Sequence, residues 1–258
     1  MNTECMLFRN TAAHTGRKRV ITPENSDLEY LSYGRTILKA GDEPVTFNTG
    51  DEEVVLLCMN GEGTIEAGGQ TYTLKKWDAL FAAAGVDLKL STESSVDFLE
   101  CAAPTEKKGT VQFVPFDSVK DDPKLAGVYG EVPFQRTIYK IIDDNVDASR
   151  LLVGVTFSEP GNWTSWPPHE HADTKEEIYV YCDMPTPAFG VQFAYTDLKN
   201  MEFVQPVYDG DAVVLKEGYH PNVAAPGHRI NFVWILAALR PTVDRSWTAV
   251  RTQPEFSS

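Results

Sequence analysis

Short apolar runs, rich in β-branched and aromatic residues and broken by Gly, Pro, Asp and Asn, recur along the whole chain. EVVLLCMN, GTIEAGG, QTYTL, DALFAA and VDFLECA lie in the first half; RLLVGVTF, EIYVYC, FGVQFAYT, DAVVL and INFVWILAAL lie in the second. Such residues suit a pleated, half-buried surface and mark strands. Stretches with the period of an amphipathic helix are scarce, so the pattern predicts an all-β protein. The polar stretch DSVKDDPKLAGVYGEVP, residues 117–133, carries two prolines and interrupts the rhythm. It predicts a linker between an N-terminal β-domain, 1–120, and a C-terminal one, 121–258.

An internal comparison supports that division. WDALFAAAGVD, 77–87, lies without a gap over GDAVVLKEGYH, 210–220, and upstream DEEVVLL, 51–57, resembles KEEIYVY, 175–181. The two pairs keep their order, which predicts a duplicated β-barrel. The comparison pairs Glu177 with Glu53.

Composition then narrows the partners. The chain has 258 residues, and its 37 acidic against 23 basic side chains give a net charge of -14. That surface repels phosphate backbones and anionic lipid, so neither nucleic acid nor membrane is expected, while a small anionic substrate needs only a local basic pocket. Cys5, Cys58, Cys101 and Cys182 are scattered without ligand spacing and read as buried or incidental thiols, with one or two disulfides left open. The N-terminus lacks the apolar core of a signal peptide, and no stretch approaches the ~20 apolar residues of a membrane span. A soluble, cytoplasmic protein is the expectation, and exposed edge strands favour a homodimer.

The candidate chemistry sits in GNWTSWPPHEHADTKEEIYVY, 161–181. Residues two apart in a strand point the same way, so His169 and His171 share a side, as do Glu177, Tyr179 and Tyr181. A barrel brings DAVVLKEGYH alongside, ending at His220. Two His, a Glu and a third His make a ligand set for a divalent transition metal: Zn, Mn, Fe, Ni or Co. Glu177 directly precedes the apolar strand; Glu176 gives the shorter spacing after His171 and stays open as the alternative. The first half has Val45 and Phe47 where the paired histidines would fall and Asp87 where His220 stands, so it should be metal-free.

These residues resemble the two cupin motifs, HxH plus Glu and then Gly-Asp-apolar-Gly-x-His. GNWTSWPPHEH, EEIYVY, FGVQFAYT, DGD followed by GYHP, then AAPGH and RSW resemble more specifically the 5-deoxy-glucuronate isomerase family (IolB type), a relative of 5-keto-4-deoxyuronate isomerase. The resemblance implies two tandem cupin barrels of the double-stranded β-helix, or jelly-roll, kind, with the metal in the C-terminal one. It also implies an aldose–ketose isomerase turning 5-deoxy-glucuronate into 2-deoxy-5-keto-gluconate in inositol catabolism. Lys216-Glu217-Gly218-Tyr219-His220-Pro221 departs from the family's Pro-x-Gly-Tyr-His-Pro, a change close to the site.

Isomerisation moves a proton between adjacent carbons, which needs a Lewis acid and a group that shuttles the proton. Tyr179 and Tyr181 on the ligand face, Tyr219 beside His220 and Gln192 on the following strand are the candidates. A sugar acid also needs a cation for its carboxylate; Arg229, Arg240, Arg245 and Lys216 are within range along the chain. The same ligand set serves metal-dependent dioxygenases, and a non-catalytic sugar-acid-binding bicupin fits the motifs as well.

Overall fold

The computed structural model describes residues 2–256, and these are almost entirely strands and their connections. A nine-stranded sheet in the first half runs Val111–Val114, Ala79–Ala82, Glu52–Ala67, Ser95–Pro104, Ser32–Lys39 and Gly16–Ile21, with Val45–Asn48, Gln70–Lys75 and Asp87–Ser91 joined to it. A seven-stranded sheet in the second runs Leu7–Phe8, Ala212–Leu215, Lys175–Tyr181, Asn231–Ala238, Leu151–Ser158, Arg136–Ile142 and Ala126–Tyr129. The opposite wall of the second half is a four-stranded sheet of Trp163–Thr164, Asn222–Ala224, Gly190–Ala194 and Phe203–Val207. His169–Glu170 pairs with Arg251–Thr252 near the C-terminus.

Several expectations change in detail. EVVLLCMN and GTIEAGG form one strand, Glu52–Ala67, with a register shift between Cys58 and Asn60 that lets it serve two sheet segments. Gly61 sits just past that shift at φ +75°, and a Cβ there would lie 2.0 Å from the Ser95 carbonyl oxygen. The stretch read as a linker is structured: it forms a short helix, Phe116–Lys120, and the edge strand Ala126–Tyr129 of the second sheet. Leu7–Phe8, from the chain's first residues, pairs with Ala212 and Val213 of the second half.

Strand alternation divides the interior into three cores. Val54 and Leu56 join Leu38, Ile65, Leu90 and Phe98 inside the first half. Tyr179 and Tyr181 join Leu215, Phe232, Trp234 and Leu236 inside the second. Val55, Leu57, Phe81, Ile178, Val180, Val214, Val233 and Ile235 form a third cluster that draws on both large sheets. Each fully buried side chain of this kind contributes about 1.5–3 kcal/mol, whereas exposed pairs such as Lys76–Asp183 are worth about 1 kcal/mol at most. The shared apolar layer therefore holds the halves together.

Two carboxylates reinforce it reciprocally. Glu53 accepts backbone N–H bonds from Ser149, Arg150 and Leu151 at 2.6–2.8 Å. Glu176 accepts from Glu29, Tyr30 and Leu31 at 2.5–3.1 Å. Each half thus caps a loop of the other. Val54 faces Ala82 and Val55 faces Phe81, while Glu177 faces Leu215 and Ile178 faces Val214. The repeat comparison was one residue out of register: Glu53 corresponds to Glu176, and the residue corresponding to Glu177 is Val54. Ungapped matching of two glutamate pairs could not see this, because a one-residue slip swaps faces without changing composition.

All four cysteines are free. Burial, with Asp78 nearby, pushes the Cys58 thiol up to about 12, and burial also raises Cys101 and Cys182. Only thiolates react quickly with aromatic disulfide reagents. The native protein should therefore react at half-exposed Cys5 alone at pH 8, and at all four thiols once unfolded. Fast native labelling of Cys101 or Cys182, located by peptide mass mapping, would contradict this packing. No helix among the described residues is long and apolar enough to cross a membrane.

Candidate metal centre

The Lys175–Tyr181 strand is buried along its whole length between two neighbours. Its alternation sends Glu177 and Tyr179 into the second half's interior and Glu176 toward the other half. Glu177, not Glu176, therefore meets the histidines. His171 Nε2 lies 2.9 Å from Glu177 Oε2, and His220 Nε2 lies 3.2 Å from the same oxygen. One ligand atom each from His171, Glu177 and His220 fall within 4.8 Å of one another. His169 stands beside this triplet, its ring 4.9 Å from that of His220 and 6.3 Å from that of His171.

The imidazoles are oriented from behind. His169 Nδ1 faces the Pro167 carbonyl at 3.0 Å, His171 Nδ1 that of Lys175 at 3.4 Å, and His220 Nδ1 that of Gly218 at 2.9 Å. A carbonyl only accepts, so each Nδ1 carries the proton and each Nε2 is left with a lone pair. The buried His220 Nε2 has no hydrogen-bond partner among the described residues, its contact with Glu177 being poorly aligned. Lone pairs and a carboxylate oxygen crowded together out of water repel one another unless a cation lies among them. The side chains present fit a divalent metal ion.

Burial opposes ionisation of Glu177, but where protons on the Nε2 atoms of His171 and His220 stand in place of a cation, their hydrogen bonding and charge outweigh it and hold its pKa down at about 2. Withdrawal from water, with His220 and His171 as neighbours, lowers His169 to about 3. Both shifts favour the forms that bind metal: carboxylate and neutral imidazole.

A cavity of about 290 Å³ opens onto His169, His171 and Glu177. Trp166, Phe232, Trp234 and Trp247 give it an aromatic wall, and Arg136, Ser165 and Tyr179 supply polar groups. Tyr179 Oη lies 2.8 Å from Ser165 Oγ, and burial raises the tyrosine's pKa well above 10, so it stays protonated and can donate. Of the four proposed catalytic side chains, only Tyr179 lines this cavity. Tyr181 hydrogen-bonds to Gln192, whose amide nitrogen donates to the His220 and Pro221 carbonyls. These two brace the turn that carries His220. Tyr219 packs on Tyr195, with ring centroids 6.0 Å apart.

None of the basic residues considered from the sequence lines the cavity. Arg229 pairs with Glu159, Arg240 with Asp244, and Arg245 bonds the Leu151 and Asp143 carbonyls, while Lys216 bonds the Asp27 carbonyl. Sequence reasoning missed Arg136, which lies far upstream of the motifs. It also missed Glu170 and Lys175, which bind the C-terminal segment. Glu170, between the two histidines and facing the other way, grips Arg251, and Lys175 Nζ donates to the Ala249 carbonyl at 2.8 Å. That segment lays Val250 and Thr252 along the cavity. The alternation of HxH was the available signal for Glu170.

The KduI/IolB family model matches residues 6–257. The chain belongs to the KduI/IolB family. Relatives named 5-deoxy-glucuronate isomerase include one from Geobacillus kaustophilus, 26% identical over 239 residues (84% of this chain and 83% of that one), and one from Bacillus subtilis, 26% identical over 264 residues (93% and 94%). The crystal structure of an IolB-like protein from Salmonella typhimurium superposes with a TM-score of 0.83 at 23% identity, covering 98% of each chain. A cupin 2 conserved barrel domain protein from Leptotrichia buccalis gives 0.54 at 14% identity, covering 92% of this chain and 91% of that one. The fold of this family member is that of the cupins.

Proposed function

We propose that this KduI/IolB protein is a metal-dependent aldose–ketose isomerase acting on a deoxy-uronate, converting 5-deoxy-glucuronate to 2-deoxy-5-keto-gluconate. The observation that carries the reading is the convergence of His171, His220 and Glu177 on one another, one imidazole nitrogen left without a partner among the described residues, beside a cavity of about 290 Å³ that His169, His171 and Glu177 line. The activity named for its relatives supports the choice of reaction.

His171, Glu177 and His220, with His169 beside them, would hold the ion. A divalent cation bound there would supply Lewis acidity to the substrate carbonyl, easing loss of the proton from the neighbouring hydroxyl-bearing carbon. The chain's own residues supply hydrogen bonds, shape and support. Tyr179, kept protonated, donates to a substrate oxygen, and Ser165 orients its hydroxyl. Trp166, Trp234 and Trp247 exclude water and offer flat faces to the sugar carbons. Gln192 and Tyr181 keep the His220 turn in place.

Incubating metal-loaded protein with 5-deoxy-glucuronate in deuterated water tests this by NMR. Ketose resonances should appear without oxygen consumption, chelator treatment should stop the reaction, and adding the metal back should restore it. Metal-replete protein that forms no ketose would overturn the assignment.

A further inference from the structure

Among the described residues, Arg136 is the only lysine or arginine lining the cavity. It extends from the Arg136–Ile142 strand, and its guanidinium donates to two backbone carbonyls, Phe134 at 3.1 Å and Trp166 at 2.9 Å. Among the described residues no carboxylate comes within ion-pair distance of it. Arg150, likewise without a carboxylate, donates to the carbonyls of Pro104, Ala238 and Leu239 and lies outside the cavity. A guanidinium drawn out of water beside neutral acceptors is destabilising, and burial lowers its pKa from the ordinary value against the pull of Tyr179 and Tyr129. Such a group becomes favourable when an anion completes it.

The position suits recognition as well as charge. The Trp166 carbonyl that holds Arg136 lies in the same Ser165–His169 segment that delivers His169. Tyr179, which stands in the field of Arg136, packs edge-on against His220 with ring centroids 5.8 Å apart. The guanidinium and the imidazole cluster are thus fixed to one rigid wall. A planar guanidinium takes the two oxygens of a carboxylate side by side, whereas a hydroxymethyl group in the same place leaves its charge unanswered. Within a chain of net charge -14, this local cation is what admits an acid.

We propose that Arg136 binds the carboxylate of the substrate and sets the preference for a sugar acid over the corresponding neutral sugar. The kinetic form of this proposal rests on the deoxy-uronate reading above; its binding form does not.

The test compares wild type, Arg136→Gln and Arg136→Lys, each verified by melting curve and metal content. For 5-deoxy-glucuronate, Arg136→Gln should raise KM about 100-fold, the loss expected when a charged hydrogen-bonding partner is removed, with a smaller change in kcat. With 5-deoxyglucose, which lacks the carboxylate, KM should stay within about twofold of wild type, since no charge is left to pair. Arg136→Lys should recover part of the loss for the acid. An unchanged KM for the acid, or an equal loss for both sugars, would overturn the proposal.

Calorimetric binding of glucuronate against glucose separates this from a wrong reaction. Wild type preferring the acid and Arg136→Gln losing that preference supports the carboxylate site even where no ketose forms. Wild type with no preference refutes it. Should the variants fail to fold, phenylglyoxal modification of wild-type Arg136, mapped by mass spectrometry, should be slowed by glucuronate and not by glucose; equal protection by both would refute it.

Discussion

Glu177→Gln should give a folded protein that neither retains a divalent cation nor turns over substrate. The amide keeps the shape of the side chain but removes the negative charge that His171 and His220 hold at a pKa of about 2. Disturbing residues that merely orient metal ligands costs about 10–100-fold in affinity, so loss of a ligand charge should exceed that range. Metal analysis of the purified variant, with its melting curve, checks the result. His171→Ala should behave likewise. Wild-type metal content in either variant would remove the basis of the proposed centre.

The neighbouring substitution should do the opposite. Glu176→Ala leaves the N–H groups of Glu29, Tyr30 and buried Leu31 without their acceptor, and Glu53→Ala does the same to Arg150 and to buried Ser149 and Leu151. Each unsatisfied buried donor costs about 1–3 kcal/mol, so Glu176→Ala should lose at least about 1 kcal/mol and Glu53→Ala at least about 2 kcal/mol. For a chain of this size those are falls of at least about 2–4 °C and about 4–8 °C in Tm. Protein that does fold should still bind metal, because Glu176 points away from the histidines. Urea denaturation alongside metal analysis separates the two glutamates: one governs the ion, the other the joint between halves. A Glu176→Ala variant as stable as wild type would show that the reciprocal caps are not what the geometry implies.

Much of this was legible because strands write their orientation into the sequence with a two-residue period. Lys175–Tyr181 and the Ala79–Ala82 and Ala212–Leu215 pair were readable, and so was the grouping of Glu177 with Tyr179. What escaped was polar material in buried places. SYGRTILK, 32–39, is a central strand, but Arg35 hides the pattern by pairing with Asp97 inside the fold. RTIYKII, 136–142, escaped for the same reason, and with it the cavity's arginine. The Glu53 and Glu176 caps depend on loops nearly a hundred residues or more away, and no local pattern encodes such a partner. The wall formed by Val250 and Thr252 escaped because a two-residue strand has no period to read.

The sandwiched position of the central strands has a consequence for dividing such a chain. In the first half Val54 occupies the place that Glu177 fills in the second, and it packs there among apolar side chains. Its outward face is another matter, since Val55, Leu57 and Phe81 cover Ile178, Val180 and Val233. A gene encoding the second half alone would present that greasy plane to water and tend to clump. The first half thus serves the second as a lining that keeps its apolar plane dry.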